Sequence, residues 1–476
     1  MGRFGVSRPF DQSASVGARR GFQVSGGPEA ILRSQAVLWL DALYSNAGQT
    51  ATNLGTGGTA MNAQLGSSAS ADSNDPLWLA NEGQPYVYVP GANSNYLSVP
   101  DSAALDITGD IDIRVEVALD DWTPSATQML LAKREANQIA YQLGVNTSGN
   151  LVLLWSTAGT SGISATSTAA TGISDGVRRW VRATLDVNNG ASGYSVQFFT
   201  STDGATWTQL GTTVTVAGVT SIFASTANVN IGARNSGGAE PAAGKFYRAQ
   251  VLNGIAGTVV LDVDTSVLTS GSATTFTELS ANGATVTVNR ATSGRKSVAV
   301  VDQPVWLFGT DDYMEIPDNA SLDFGASDSF TAVAIVRQWN TPTNLGIILS
   351  KSDGYDNGYA ILNAGTTASW RALIDLAGTE ITRNSSYTVG ASHVRTMVVD
   401  RAAQTIVGWT DMTATASTST STVGSLANAL PVRIGRSAGA TTGYQDFEFV
   451  AAAVFRRVLS SDELRQIVTY YQTRYP

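Results

Sequence analysis

The sequence predicts an all-β protein built as two tandem sandwiches, with a short helix at its C-terminal end. Three observations carry this. A stretch from Tyr96 to Asp106 returns 217 residues later from Tyr313 to Asp323, with Tyr, Pro, Asp, Ala, Leu and Asp at the same spacing, and Trp122 and Trp339 continue that register. Period-two segments follow one another at short intervals, separated by Gly, Asn and Asp turn signals. Sustained 3.6-residue periodicity is missing until the last twenty residues.

Composition bounds the rest. The chain has 476 residues, more than one ordinary core, and the repeat says how it divides. It has no cysteine, so disulfides and thiolate metal sites are excluded. No run of eighteen apolar residues and no signal-peptide pattern occurs, which predicts a soluble protein made in the cytoplasm and not inserted in a membrane. The formal net charge of −9 disfavours wrapping nucleic acid.

Residues 1–35 reverse that sign, with Arg3, Arg8, Arg19, Arg20 and Arg33 against Asp11 and Glu29. Without periodicity, this basic segment is expected not to fold alone, and it reads either as a docking arm that orders on a partner's surface or as a frayed terminus. In the docking reading, Phe4, Phe10, Phe22, Ile31 and Leu32 are its anchors, because screened charge alone is too weak to hold it.

The first sandwich is expected over 36–257. Val37 to Leu43 reads as its opening strand, and Tyr44 to Asp75 as long surface loop with at most one short strand. Further strands follow at Pro85–Val89, Ile111–Leu119, Met129–Lys133, Ile139–Val145, Leu151–Ser156, Trp180–Val187, Tyr194–Thr200, Asn228–Ala233 and Lys245–Leu252. In Ile111–Leu119 the apolar and polar residues alternate, so one face is solvated.

The second sandwich is expected over 258–476, opening with Val259–Val263 and repeating the order as far as Phe447–Phe455. Its strand Phe330–Val336 is apolar on nearly both faces and is therefore more deeply covered. The helix opens at Ser460 with Glu463 three residues on, the spacing of a capping box, and puts Leu464, Ile467, Val468 and Tyr471 on one face.

Read in order, several pieces of the second half resemble the laminin-G-like, concanavalin A-like lectin jelly rolls. They are Phe308 to Asp318, Leu349-Ser350-Lys351, His393-Val394-Arg395 before Asp400, Arg433 to Arg436, and Phe455 to Leu464. The first half matches more weakly through Tyr96 to Asp106, Lys133, Trp180-Val181-Arg182 with Asp186, and Asn230-Ile231-Gly232. The resemblance implies two tandem concanavalin A-like jelly-roll sandwiches. The style of the whole chain, tandem and free of cysteine with Ala, Thr and Gly-rich loops, is similar to that of minor tail proteins of phages of actinobacteria. That likeness implies a virion structural protein located in the tail, with other tail proteins and host-surface glycan as partners and a homo-oligomer as a compatible state. The alternative functions are a carbohydrate-binding module for cell-wall glycans and, last in rank, a secreted glycan hydrolase.

Hydrolysis needs two carboxylates facing each other across a bond, and no Glu here has that company. Glu116, Glu315 and Glu448 each fall on a polar strand face and read as solvated; His393, the one histidine, reads as structural. The chain is therefore expected to be no enzyme and to need no cofactor. Lys351 to Tyr359 is the loop richest in chemistry. Asp353, Asp356 and Asn357 could hold Ca²⁺ or sugar hydroxyls and Tyr355 could stack on a pyranose ring, but a calcium-loop motif is lacking and a hairpin turn accounts for the composition. Of the tryptophans, Trp207 follows the Asp203-Gly204 turn and is the expected exposed platform for a sugar ring.

Overall fold

The structure is a computed structural model that describes residues 27–45, 48–291, 296–309, 311–341, 345–354, 356–365, 367–437 and 446–476. Among the described residues, thirty-four strands fall into two runs of seventeen. The first run opens with a quartet, β1 (Leu38–Asp41), β2 (Thr50–Ala51), β3 (Ala63–Leu65) and β4 (Leu77–Leu79). A body of thirteen strands follows: β5 (Tyr86–Pro90), β6 (Tyr96–Val99), β7 (Ile111–Leu119), β8 (Gln128–Glu135), β9 (Gln138–Val145), β10 (Leu151–Trp155), β11 (Ile163–Thr166), β12 (Arg179–Asp186), β13 (Gly193–Ser201), β14 (Thr208–Gln209), β15 (Val214–Ala217), β16 (Val229–Ile231) and β17 (Ala243–Asn253).

The second run repeats this plan. Its quartet is β18 (Thr258–Asp264), β19 (Thr275–Thr277), β20 (Thr285–Asn289) and β21 (Ala299–Val301). Its body is β22 (Val305–Phe308), β23 (Met314–Ile316), β24 (Phe330–Arg337), β25 (Gly346–Asp353), β26 (Asp356–Asn363), β27 (Ser369–Leu376), β28 (Thr379–Ser386), β29 (Ser392–Asp400), β30 (Thr405–Thr410), β31 (Thr413–Ala414), β32 (Thr418–Ser419), β33 (Val432–Ile434) and β34 (Phe447–Phe455). Helices α1 (Pro28–Gln35) and α2 (Ser461–Arg474) stand at the two ends.

Strand partners divide the chain differently from the expected 36–257 and 258–476. One nine-stranded sheet runs β14-β13-β12-β7-β17-β5-β21, with β15 on β13 and β18 on β17; the other runs β31-β30-β29-β24-β34-β22-β4, with β32 on β30 and β1 on β34. The eight-stranded sheets run β11-β10-β9-β8-β16-β6-β20-β19 and β28-β27-β26-β25-β33-β23-β3-β2. The orders match strand for strand, but the quartets are exchanged. Sandwich one is β5 to β21, and sandwich two is β22 to β34 completed by β1 to β4. The boundary near Gly254 to Thr258 separates repeats in sequence while joining β17 to β18 as neighbours in one sheet.

The cores follow this exchange. Val87, Ile113, Leu131, Leu143 and Val181 pack in one cluster with Val260, Leu261 and Val263 of β18. Trp306, Met314, Ile348, Trp370 and Phe449 pack in another with Leu38, Leu40, Ala51, Met61, Ala63 and Leu65. The tract from Tyr44 to Asp75 is therefore corrected: its short strands supply core residues, and Met61 and Ala63 are fully buried.

A third cluster joins the sandwiches. Val333, Ile335, Val394, Val398 and Val450 on the outer face of sandwich two lie under Ile31 and Leu32 of α1 and Leu464, Ile467, Val468 and Tyr471 of α2, and the cluster continues through Leu79 and Val305 to Tyr86, Tyr88 and Tyr247 of sandwich one. Helix α2 has the expected capping box at Ser460 and Glu463, and its expected apolar face is buried. The arm is corrected in part, because Pro28–Gln35 is helical and Ile31 (6% exposed) and Leu32 (0%) are committed to the chain's own core, not offered to a partner. Phe4, Phe10 and Phe22 lie outside the described residues.

Candidate ligand-binding face

The outer face of the sandwich-one sheet is the contrary of the helix-covered one. Period two turns Asp112, Arg114 and Glu116 of β7 outward, and cross-strand pairing sets Phe199, Arg182, Arg114 and Gln250 in one row across β13, β12, β7 and β17. Asp112, fully buried, takes both guanidinium groups in fork geometry. Arg114 donates to it at 3.2 and 2.8 Å and Arg182 at 2.9 and 2.7 Å, and the backbone N–H of Ala256 adds a fifth bond at 3.1 Å. Burial works against this carboxylate, but the bonds and charges of Arg114 and Arg182 outweigh it and hold its pKa below the ordinary value.

Two cations share one anion, so the cluster carries an excess positive charge. Trp207 lies over it. The Arg182 and Arg114 guanidinium carbons sit 5.4 and 5.6 Å from its ring centroid, and Trp180 meets it edge-on at 6.3 Å. The expected turn positions this ring. Asp203 accepts from the backbone N–H of Ala205 (2.9 Å) and Thr206 (2.8 Å) and from Ser201 Oγ (2.9 Å), and these bonds, that of Thr206 foremost, lower its pKa to about 2. Gly204 has φ +71°, and a Cβ there would stand 2.8 Å from the Trp180 ring. Trp207 is half-buried, so it is a partly open platform.

The other charges of this face are tied to one another. Arg178 binds Glu116 at 2.7 Å, and Arg248 binds Asp262 at 2.7 and 2.6 Å. The strand glutamates are thus structural. Glu315 pairs with Arg433 at 2.8 Å. Glu116 and Glu448 correct their solvated readings, since they are 8% and 1% exposed, and Glu448 bonds buried Arg337 at 2.7 Å and Trp339 Nε1 at 2.8 Å. A buried carboxylate persists here because a cross-strand guanidinium neutralises it.

The repeated Pro-Asp stretch and the lysines of β8 and β25 turn out to be one device. Lys351, fully buried, places Nζ 2.6 Å from Asp318 and 3.1 Å from Asp323, with the carbonyls of Asn428 (2.8 Å) and Leu430 (2.7 Å) completing the shell. Lys133 does the same with Asp101, with Asp106 at 3.5 Å, and with the carbonyls of Ser225 and Ala227. Two carboxylates and two carbonyls make a cation's shell, and the ammonium fills it. The recurrence of two Asp five residues apart, with a Lys following the second by 27 residues in one copy and 28 in the other, was the signal that could have revealed it.

The loop after Lys351 is a hairpin. Asp353 faces Asp356 across the β25–β26 turn, and both are exposed, as is Asn357; Tyr355 lies outside the described residues. Asn357 has φ +54° and serves the backbone, donating from its N–H to Asp375 (3.2 Å) and accepting from Ala377 N–H (2.9 Å). Gly358 lets the strands close, because a Cβ there would fall 1.8 Å from the Lys351 carbonyl. This loop and Trp207 belong to different sandwiches, so the expected ligand residues do not form one site. Among the described residues, no three of His, Cys, Asp and Glu are grouped to hold a metal ion. His393 Nε2 accepts from Thr388 N–H at 3.0 Å and its Nδ1 meets Asp411 at 2.8 Å, which fixes a surface loop and is structural as expected. No described helix is long and apolar enough to cross a membrane.

No family model matches the sequence, and no curated protein does. Among solved structures the chain is similar to the binding domain of Paraclostridial mosquitocidal protein 1, at 14% identity over 41% of this chain and 49% of that one (TM-score 0.31). It is similar also to domains LG4-5 of the mouse laminin alpha1 chain, at 13% identity over 82% and 97% (TM-score 0.28). A third is the CBM40 of Ruminococcus gnavus IT-sialidase bound to alpha2,3 sialyllactose, at 12% identity over 31% and 91% (TM-score 0.25). The chain spans about half the length of the mosquitocidal binding domain it matches.

Proposed function

We propose that this chain is a non-catalytic binding protein that recognises surface glycans through the sandwich-one face around Trp207. The observation that supports this reading is the half-open Trp207 ring above two guanidinium groups, each of which leaves its Nη1 outside the Asp112 fork. An aromatic face takes the apolar side of a pyranose ring while planar donors take its oxygens, and a few such groups suffice for orientation. The strand glutamates Glu116, Glu315 and Glu448 are each engaged with an arginine, which speaks against their use as an acid pair.

The setting we propose is a phage virion, where a minor tail protein carries such a face toward the host. The compositional style supports this, and the segment before α1, with Phe4, Phe10 and Phe22, is then its link to other tail proteins. The test is sedimentation of the purified chain with actinobacterial cell-wall polysaccharide. Trp207→Ala weakens binding by about tenfold or more, the loss expected of a central aromatic contact, at an unchanged melting temperature. Equal binding by that variant places recognition elsewhere, and no binding by the parent chain ends the glycan reading.

A further inference from the structure

The filling of the two sandwiches has a direction. Body one, β5 to β17, is completed by the quartet that follows it in sequence; body two, β22 to β34, is completed by the first quartet. Both completions use the same pairs: β1 on β34 as β18 on β17, β3 on β23 as β20 on β6, and β4 on β22 as β21 on β5. The rule common to both is that a body accepts the quartet at the head of another run. Two runs in one chain satisfy it by closing head to tail.

We propose that the leading quartet is exchangeable and that a second copy of this chain docks by inserting its own β1 to β4 into body two. The contact surface does not depend on the quartet being the chain's own, since every copy presents identical strands. Only the crossing at 80–85 ties β4 to β5, and it passes beside the return crossing at 302–304. Glu82 binds Lys245 and Tyr247 of β17, and the Pro85 carbonyl accepts from Thr265 Oγ1 at 3.1 Å, so the crossing is anchored to sandwich one, while Asn81 Nδ2 donates to the Asp302 carbonyl at 2.7 Å and Tyr475 to the Pro304 carbonyl at 2.9 Å. A six-residue link keeps the chain's own quartet at an effective concentration on the order of millimolar, and a foreign quartet competes as chain concentration approaches that value. Donation of this head-to-tail kind closes as a reciprocal dimer or continues as an open row of copies. The proposal is independent of glycan recognition.

The absence of cysteine makes the test direct. Gln64 of β3 stands opposite Glu315 of β23, and both are half-buried. Gln64→Cys and Glu315→Cys are made in separate chains, one carrying a size tag, then unfolded together, refolded over a range of concentrations and oxidised. An interchain disulfide whose yield rises with chain concentration is expected, with the double variant in one dilute chain giving the intrachain bond. Wild-type chain refolded over the same range gives a reading free of cysteines, namely a dimer that survives dilution and reverts only after unfolding. Monomer throughout, up to on the order of millimolar chain, overturns the proposal, as does the absence of interchain bonds while the double variant closes on itself.

Discussion

Strands β7 and β24 occupy the same place in sheets of the same order, yet their outer faces are opposites. The places correspond, since Asp110 before β7 accepts from Val187 N–H at 2.8 Å as Ser329 before β24 accepts from Arg401 N–H at 2.9 Å. From there Asp112, Arg114 and Glu116 turn outward in one sandwich, and Thr331, Val333 and Ile335 in the other. The first face carries an ion-pair lattice with Trp207 over it, and the second lies under α1 and α2. Strand order is thus indifferent to what lies above the sheet; the polar half of each alternation decides it.

The largest effect that can break this comparison concerns the quartets. A fragment of residues 85–302 holds every strand of sandwich one and should fold alone with a cooperative transition, measured by calorimetry. Deleting residues 1–79 should abolish the transition of sandwich two and leave that of sandwich one. Leu38, Leu40, Met61 and Leu65 are nearly or fully buried, and at about 1.5–3 kcal/mol each their loss is of the order of a whole domain's stability. A sandwich two that survives this deletion would show the quartet to be an accessory.

Next in size, truncation after Leu459 removes the cover of one outer face only. Leu464, Ile467, Val468 and Tyr471 leave apolar strand residues open to water, so sandwich two should lose several kcal/mol while sandwich one melts as before. Equal melting of both halves would mean that the cover contributes nothing. The lysine clamps sharpen the comparison from the other side, because both sandwiches share them. Lys351→Met strands two backbone carbonyls and leaves Asp318 and Asp323 to water, and Lys133→Met does the same with Asp101 and Asp106; because those carboxylates are partly exposed, each should cost about 2–3 kcal/mol in its own sandwich. Markedly unequal losses in urea titrations would separate clamps that look alike.

Much of this was legible because burial imprints a period. Ile111–Leu119 and Phe447–Phe455 were read to the residue, as was the capping box of α2. Partners leave no such imprint. A strand's period says which side is buried but not against which strand, so Val37 to Leu43 gave no sign of crossing to the other sandwich. β2, β3 and β4 are two or three residues long, and Ala51, Met61 and Ala63 stand among Gly, Ser and Thr, so their tract read as loop. Register hides in the same way. Trp180-Val181-Arg182 and His393-Val394-Arg395 look equivalent, but Asp186 and Asp400, which both open turns, follow Arg182 and Arg395 by four and five residues. Arg182 accordingly faces outward opposite Arg114, and Arg395 faces inward opposite Ala334, fully buried. At the candidate site, the turn before Trp207 announced the aromatic, while the arginines beneath it were ordinary polar-face residues until cross-strand neighbours were known.

The smallest predicted effect tests the seam between quartet and helix through pH. Asp41 at the end of β1 is 2% exposed and accepts from Leu43 N–H at 2.9 Å and from the Tyr471 hydroxyl of α2 at 2.9 Å. Burial raises its pKa from 3.8 to about 6, and those bonds and Arg474 only partly oppose the rise. With the folded value above the unfolded one, the unfolded chain releases this proton first as pH rises, so stability falls between about pH 4 and 6 and is level above. The difference of about two units corresponds to about 3 kcal/mol at neutral pH. Asp41→Asn removes that penalty but leaves the Tyr471 hydroxyl proton without its acceptor, at about 1 kcal/mol. The variant should therefore be the more stable by about 2 kcal/mol at pH 7 and slightly the less stable below pH 4. Asp312, also raised to about 6 by burial, titrates in the same window but cancels when variant and parent are compared at each pH. Melting temperatures at pH 4, 5, 6 and 7 decide the matter: a variant-minus-parent difference that does not change with pH would mean that Asp41 is not buried beneath α2 as a strained acid, and that the clasp between first strand and last helix is looser than its hydrogen bonds indicate.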